Sequence, residues 1–147
     1  MVHPLVSSSA RRPPVRHRAN IRATQGMRRT LNQIVGALVQ HGYPARDQFK
    51  VRLALEDAVV NALKHAHRGD RTKVVRLRYH INAKRIIAEV SDQGPGFDPQ
   101  TVADPCCPEN VDRPGGRGVF LMRTFMTRVR YNRQGNCVTL YKRRSAE

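Results

Sequence analysis

Apolar side chains recur every three or four positions from Met27 through Leu31 and Ile34 to Leu38, the spacing that lays one stripe along a helix. The stripe predicts a helix over Gln25 to Gln40, with Thr24 as its cap and Gly42 as its terminator. Pro44 and Asp47 suit the opening of a second helix. Its centre, LALEDAVVNALKH from Leu53 to His65, is apolar over most of its circumference. Val51, Leu55, Ala58, Val59, Ala62, Leu63 and Ala66 cover the apolar faces. Asp57, Asn61, Lys64, His65 and Arg68 fall within about 100° of one another on the helical wheel. A carboxylate and an amide one turn apart on an otherwise buried helix either face a ligand or satisfy each other at the helix edge.

After Gly69 the period changes to two. Val75, Leu77, Tyr79 and Ile81 alternate with Arg76, Arg78 and His80, and Asn82-Ala83-Lys84 turns the chain into Ile86, Ala88 and Val90. This is a hairpin with one buried face. A second hairpin pairs Arg128 to Arg133 with Cys137 to Lys142 about Gln134-Gly135-Asn136. Val15 to Ile21 reads as a first, edge-like strand, and Val119 to Thr127 as a short helix. Strands and helices in separate runs imply an α+β fold: a two-layer α/β sandwich, its mixed, mostly antiparallel sheet carrying helices on one face. Residues 1–15, with Ser7-Ser8-Ser9, Arg11-Arg12 and Pro13-Pro14, read as a flexible basic tail before a single domain over residues 16–147. The proline-rich stretch from Asp98 to Pro114 is long for a loop in a compact domain, which marks it as functional or disordered.

Composition narrows the class. The 147 residues, 39% hydrophobic, suit one domain. No apolar run is long enough to span a membrane, and the N-terminus lacks a signal peptide's apolar segment, so the expected location is cytoplasmic. Cys106, Cys107 and Cys137 make neither a disulfide framework nor a zinc set. The formal charge of +16 attracts polyanions and acidic partners. With four Phe, four Tyr and no Trp, however, the chain offers no evident stacking platform for nucleic acid. Arg76, Arg78, His80, Arg128 and Arg130 read either as ordinary solvated charge or as a basic outer sheet face for an acidic protein.

Two glycine motifs complete the pattern. Asp92-Gln93-Gly94-Pro95-Gly96-Phe97 follows the first hairpin, and Gly115-Gly116-Arg117-Gly118-Val119 precedes an apolar helical run. LEDAVVNALKHA, DQGPGF and PGGRGVFLM, in this order, resemble the N, G1 and G2 boxes of the GHKL (Bergerat) ATP-binding fold. That fold is shared by gyrase, heat-shock chaperone ATPases, mismatch-repair ATPases and sensor histidine kinases. The chain looks most like the stand-alone anti-sigma-factor serine kinases of the RsbW and SpoIIAB type, over roughly residues 20 to 144.

The resemblance implies an ATP and Mg²⁺ site. Asn61 would bind Mg²⁺ beside phosphate oxygens, and Asp92 would accept a hydrogen bond from the adenine amine. Gly94 and Gly96 would let the backbone approach the base. Gly116, Gly118 and Val119 would offer N–H groups to the phosphates. Lys64, His65 and Arg117 would add contacts, Thr139 would lie near the adenine, and residues 98–115 would form the lid. Implied partners are a sigma factor and an anti-anti-sigma protein of the STAS fold; homodimers are frequent in the family, and specific nucleic-acid binding is not implied.

The family's base is typically a glutamate four residues before the asparagine. Here that position is Asp57, one methylene or about 1.5 Å shorter. Glu56 points away from Asn61 and reads as a surface partner of Arg52. Asp57 is the catalytic candidate. The readings left open are a kinase switch, a non-catalytic nucleotide-binding adaptor and a basic nucleic-acid module.

Overall fold

The structure is a computed structural model, and it describes residues 12–67, 74–92, 122–133 and 135–146. Strand β1 (Val15–Ile21) leads into helices α1 (Thr24–Gln40) and α2 (Ala45–His67). The hairpin of β2 (Val75–Ile81) and β3 (Arg85–Ser91) follows, and a second hairpin, β4 (Arg128–Tyr131) and β5 (Cys137–Arg143), closes the described chain. Residues 122–125 are helical, within the short helix predicted from Val119. Residues 126 and 127 are bends, so the helix ends two residues before the predicted Thr127; residues 119–121 and the whole loop from Asp98 to Pro114 lie outside the described residues.

The strand order is β1-β2-β3-β5-β4, and all four pairings are antiparallel. The expected sheet was mixed and mostly antiparallel, and the described pairings are antiparallel throughout. Its uniformity follows from the connections: α1 and α2 together return the chain so that β2 runs against β1. The second hairpin then inserts β5, not β4, beside β3.

The helices cover one face. Met27, Leu31, Ile34 and Leu38 of α1 and Val51, Leu55, Ala58 and Val59 of α2 are buried against Leu77, Ile81, Ile86, Ala88, Val90 and Leu140 of the sheet. Burying each of the larger side chains among them, the Met, Leu, Ile and Val residues, stabilises the fold by roughly 1.5–3 kcal/mol. The alternation predicted for the first hairpin is observed, with Val75, Leu77, Tyr79 and Ile81 buried and Arg76 and Arg78 exposed. Gly42, at φ 81°, ends α1 in the conformation that glycine adopts without strain. At the other end the capping residue is Ala23, with no side-chain hydrogen bond, and Thr24 is the first helical residue rather than the cap. No described helix is long and apolar enough to cross a membrane.

The C-terminal residues strap the two layers together. Asp47, fully buried in the first turn of α2, accepts hydrogen bonds from the Ser145 backbone N–H (2.7 Å) and hydroxyl (2.6 Å). It also lies 3.5 Å from the buried Lys142 ammonium. Arg144 donates to the Ala83 carbonyl at 2.6 Å.

Candidate functional site

The buried faces of α2 fix the azimuth of its polar residues. With Ala54, Leu55, Ala58, Val59 and Ala62 turned inward, Asp57 and Asn61 are left at the margin of the sheet, both half-buried. Successive polar positions four residues apart lie about 5–6 Å from each other at Cβ. Asn61, Ala58 and Ala62 form one wall of a small cleft; Val90 and Asp92 at the end of β3, Tyr131 of β4, and Gly135, Asn136, Cys137 and Val138 form the rest. Its free volume is about 20 Å³, room for a water molecule.

Two asparagines hold the turn that forms the wall opposite α2, and Asn136 of the pair lines the cleft. Asn132 accepts from the backbone N–H groups of Asn136 (3.0 Å) and Cys137 (3.2 Å), and its amide donates to the Asn136 side-chain oxygen at 2.7 Å. Gly135, at φ 74°, supplies the turn. The Asp92 N–H donates to the Asn136 carbonyl at 2.9 Å, which ties the end of β3 to this turn. Sequence reasoning did not single out Asn136; the available signal was its place in the turn immediately after Gly135.

Burial and the neighbouring Glu56 charge raise the Asp57 carboxyl above the ordinary aspartate range. Its Oδ2 is buried and has no hydrogen-bond partner among the described residues. The alternative in which Asp57 and Asn61 satisfy each other is therefore not observed at that oxygen. Burial also pushes the Tyr131 phenol up to about 12 and the Cys137 thiol up to about 11. Cys137 is a free thiol held in its inert, protonated form at neutral pH. Arg52 donates to the Asn32 side chain at 2.8 Å. Among the described residues no ion pair joins Arg52 to Glu56; the guanidinium reaches across to α1 instead.

The structure thus brings Asn61 and Asp92 to one cleft, with Asp57 one turn away along α2. Lys64 is exposed one turn beyond Asn61. Thr139 is a correction. It pairs with Glu89 across β3 and lines the opposite, helix-free sheet face with Arg18 and Arg78. The physical reason is strand phase: Val138 and Leu140 point into the core, so Thr139 between them points out. Nothing is described of the His65 side chain, and Gly94, Gly96, Gly116, Arg117, Gly118 and Val119 lie outside the described residues.

Comparison with known proteins agrees with this architecture. The histidine kinase-like ATPase domain matches residues 18–142, and the chain belongs to that family. Within it, the chain is similar to the serine-protein kinase RsbW of Bacillus licheniformis, 36% identical over 110 residues, covering 71% of this chain and 67% of the relative. RsbW of Bacillus subtilis is 32% identical over 114 residues, covering 73% of this chain and 71% of the relative. The fold also matches the crystal structure of the RsbU and RsbW domains of Rv1364c from Mycobacterium tuberculosis. There the TM-score is 0.62 at 17% identity, covering 92% of this chain and 34% of that one.

Proposed function

We propose that this protein binds ATP with Mg²⁺ and transfers the γ-phosphoryl group to a serine of a protein partner, as a cytoplasmic anti-sigma regulatory switch. The observation that carries the reading is the unpartnered, buried Oδ2 of Asp57 one turn before Asn61, whose side chain shares a cleft with Asp92. Such a carboxylate has hydrogen-bonding capacity to spare, and its raised pKa makes it a better base than a solvated aspartate.

In this reading Asp92 and the Asn136 turn receive the adenine, and the glycines of both motifs give the nucleotide backbone contacts. Asp57 orients the serine hydroxyl and takes its proton as the serine oxygen bonds to the γ-phosphorus. The bond from that phosphorus to the β–γ bridging oxygen breaks, and ADP leaves. Among the described residues no cluster of His, Cys, Asp or Glu could cage a metal. The available donor is the neutral Asn61 amide oxygen, which fits Mg²⁺, an ion that keeps phosphate oxygens and waters in its shell. When bound it would neutralise charge on the phosphates. The serine is assigned to an anti-anti-sigma protein of the STAS fold, with a sigma factor as the alternately sequestered partner. The curated relatives named serine-protein kinase support this choice.

The test combines calorimetric titration of ATP, with and without Mg²⁺, with phosphate transfer to a STAS-domain protein. Asn61→Ala is expected to lose Mg²⁺-dependent binding. Asp57→Asn is expected to keep ATP affinity and to lose transfer by about 10²–10⁴-fold. Nucleotide binding with no transfer by the wild type would favour a non-catalytic adaptor, for which the shorter Asp57 side chain is the structural argument. No ATP binding by folded wild-type protein would refute the proposal.

A further inference from the structure

The sheet face turned away from the helices is organised in register. One row across the sheet reads Arg128, Tyr141, Ile87, His80, Arg16; the next reads Arg130, Thr139, Glu89, Arg78, Arg18. Each row begins and ends on an exposed arginine, and its centre is apolar or neutral: Tyr141 and Ile87 in the first, Thr139 and the Arg78–Glu89 ion pair in the second. From the β1 margin an open, shallow hollow of about 770 Å³ extends inward to Ile87 and Thr139, with Arg16 and Arg18 on its outer side. The Arg16 and Arg85 charges, after burial, hold the His80 imidazole below its ordinary range, a sign that the local field is positive.

We infer that this open sheet face is a docking surface for an acidic protein partner, one that sets carboxylates against the arginine margins and an apolar patch on Tyr141 and Ile87. Arginine and tyrosine around a partly apolar centre are the side chains that carry protein interfaces. Margin charges of one sign select a partner of the other and speed its approach. A second copy of this chain fits poorly, since a two-fold contact would press one positive patch against itself. Nucleic acid fits less well, because Tyr141 has no aromatic neighbour in its row to continue a base stack and Glu89 places a carboxylate mid-row. The inference does not depend on nucleotide binding, which uses the other side of the sheet.

The test uses the full chain and a fluorescent glutamate–tyrosine copolymer as the probe, read by anisotropy at about 150 mM salt. Arg18→Ser with Arg130→Ser, at the two ends of one row, is compared with Arg28→Ser with Arg29→Ser, exposed on α1 and equal in charge loss. The sheet pair is expected to weaken binding about tenfold and the helix pair less than about twofold, with unchanged circular dichroism. Equal weakening by the two pairs would overturn the inference and leave only net charge. It would also be overturned if a thymidine oligonucleotide of about 20 nucleotides bound more tightly through the same arginines, or if sedimentation showed a wild-type dimer that the sheet pair dissociates.

Discussion

Replacing Asp47 by alanine separates the structural carboxylate of α2 from the functional one. The side chain is fully buried and accepts two hydrogen bonds from Ser145 while facing the Lys142 ammonium at 3.5 Å. Hydrogen bonds to a charged acceptor contribute about 1.5–3 kcal/mol each, but after the change the Ser145 donors can turn to solvent, as that residue is half-buried. Lys142 is 7% exposed and has less freedom; leaving one partner of a buried pair alone costs about 3–5 kcal/mol. The expected loss is therefore about 3–5 kcal/mol, a large part of a domain's typical stability, and a fall in melting temperature of roughly 6–20 °C. Although burial alone raises the carboxyl pKa, Ser145 and Lys142 outweigh it and hold the group below the usual aspartate range. Its contribution is thus present above the unfolded aspartate pKa and is lost as pH falls through the lower folded value. Urea melts at neutral pH and through the acid range measure both effects. Adding Lys142→Met to Asp47→Ala removes the orphaned charge and is expected to recover at least half of the loss. An Asp47→Ala loss below about 1 kcal/mol, or no recovery in the double variant, would refute the reasoning.

Two further outcomes test placement within the sheet. Thr139→Val is expected to leave ATP affinity within about twofold, while Asn136→Leu, which crowds the cleft and breaks the Asn132 bond, is expected to weaken it about tenfold by calorimetry. The reverse order would place the nucleotide on the wrong side of the sheet. Arg16→Gln is expected to raise the His80 pKa toward its ordinary value in an NMR titration, since Arg16 faces His80 across the β1–β2 pair.

The main elements were legible because their periods were clean. Met27, Leu31, Ile34 and Leu38 could only be one helix face, and Val75 to Ile81 only a half-buried strand. Asn61 and Asp92, which line one cleft, stood out as candidates for a related reason: each is a polar residue at the border of a strongly apolar element. Thr139 was misplaced because its family position was weighed ahead of strand phase, which Val138 and Leu140 already set in the sequence. Other contacts had no local signal. The bond from Ser145 to Asp47 spans 98 positions, and the Arg52–Asn32 bond depends on how α1 lies against α2. Asn136 belongs to a turn whose function depends on what β3 brings opposite it, and that register is a property of the folded sheet.

The pH dependence of phosphate transfer gives the sharpest test of Asp57 as the base, because its two perturbing causes can be separated by mutation. Burial is the larger and Glu56 the smaller, and both raise the carboxyl pKa. A base works only when ionised, so the rate is expected to rise with pH along a limb that lies above the ordinary aspartate range. Glu56→Gln removes the like charge and leaves the desolvation in place. The limb should move to lower pH while remaining above that range, with the plateau rate and ATP affinity nearly unchanged. If Glu56 were itself the base, the same variant would abolish the plateau and leave no limb to shift. If Asp57 served only the helix edge, Glu56→Gln would alter neither rate nor profile. A shift with a preserved plateau is the one result of the three that requires the carboxylate beside Asn61 to take the proton.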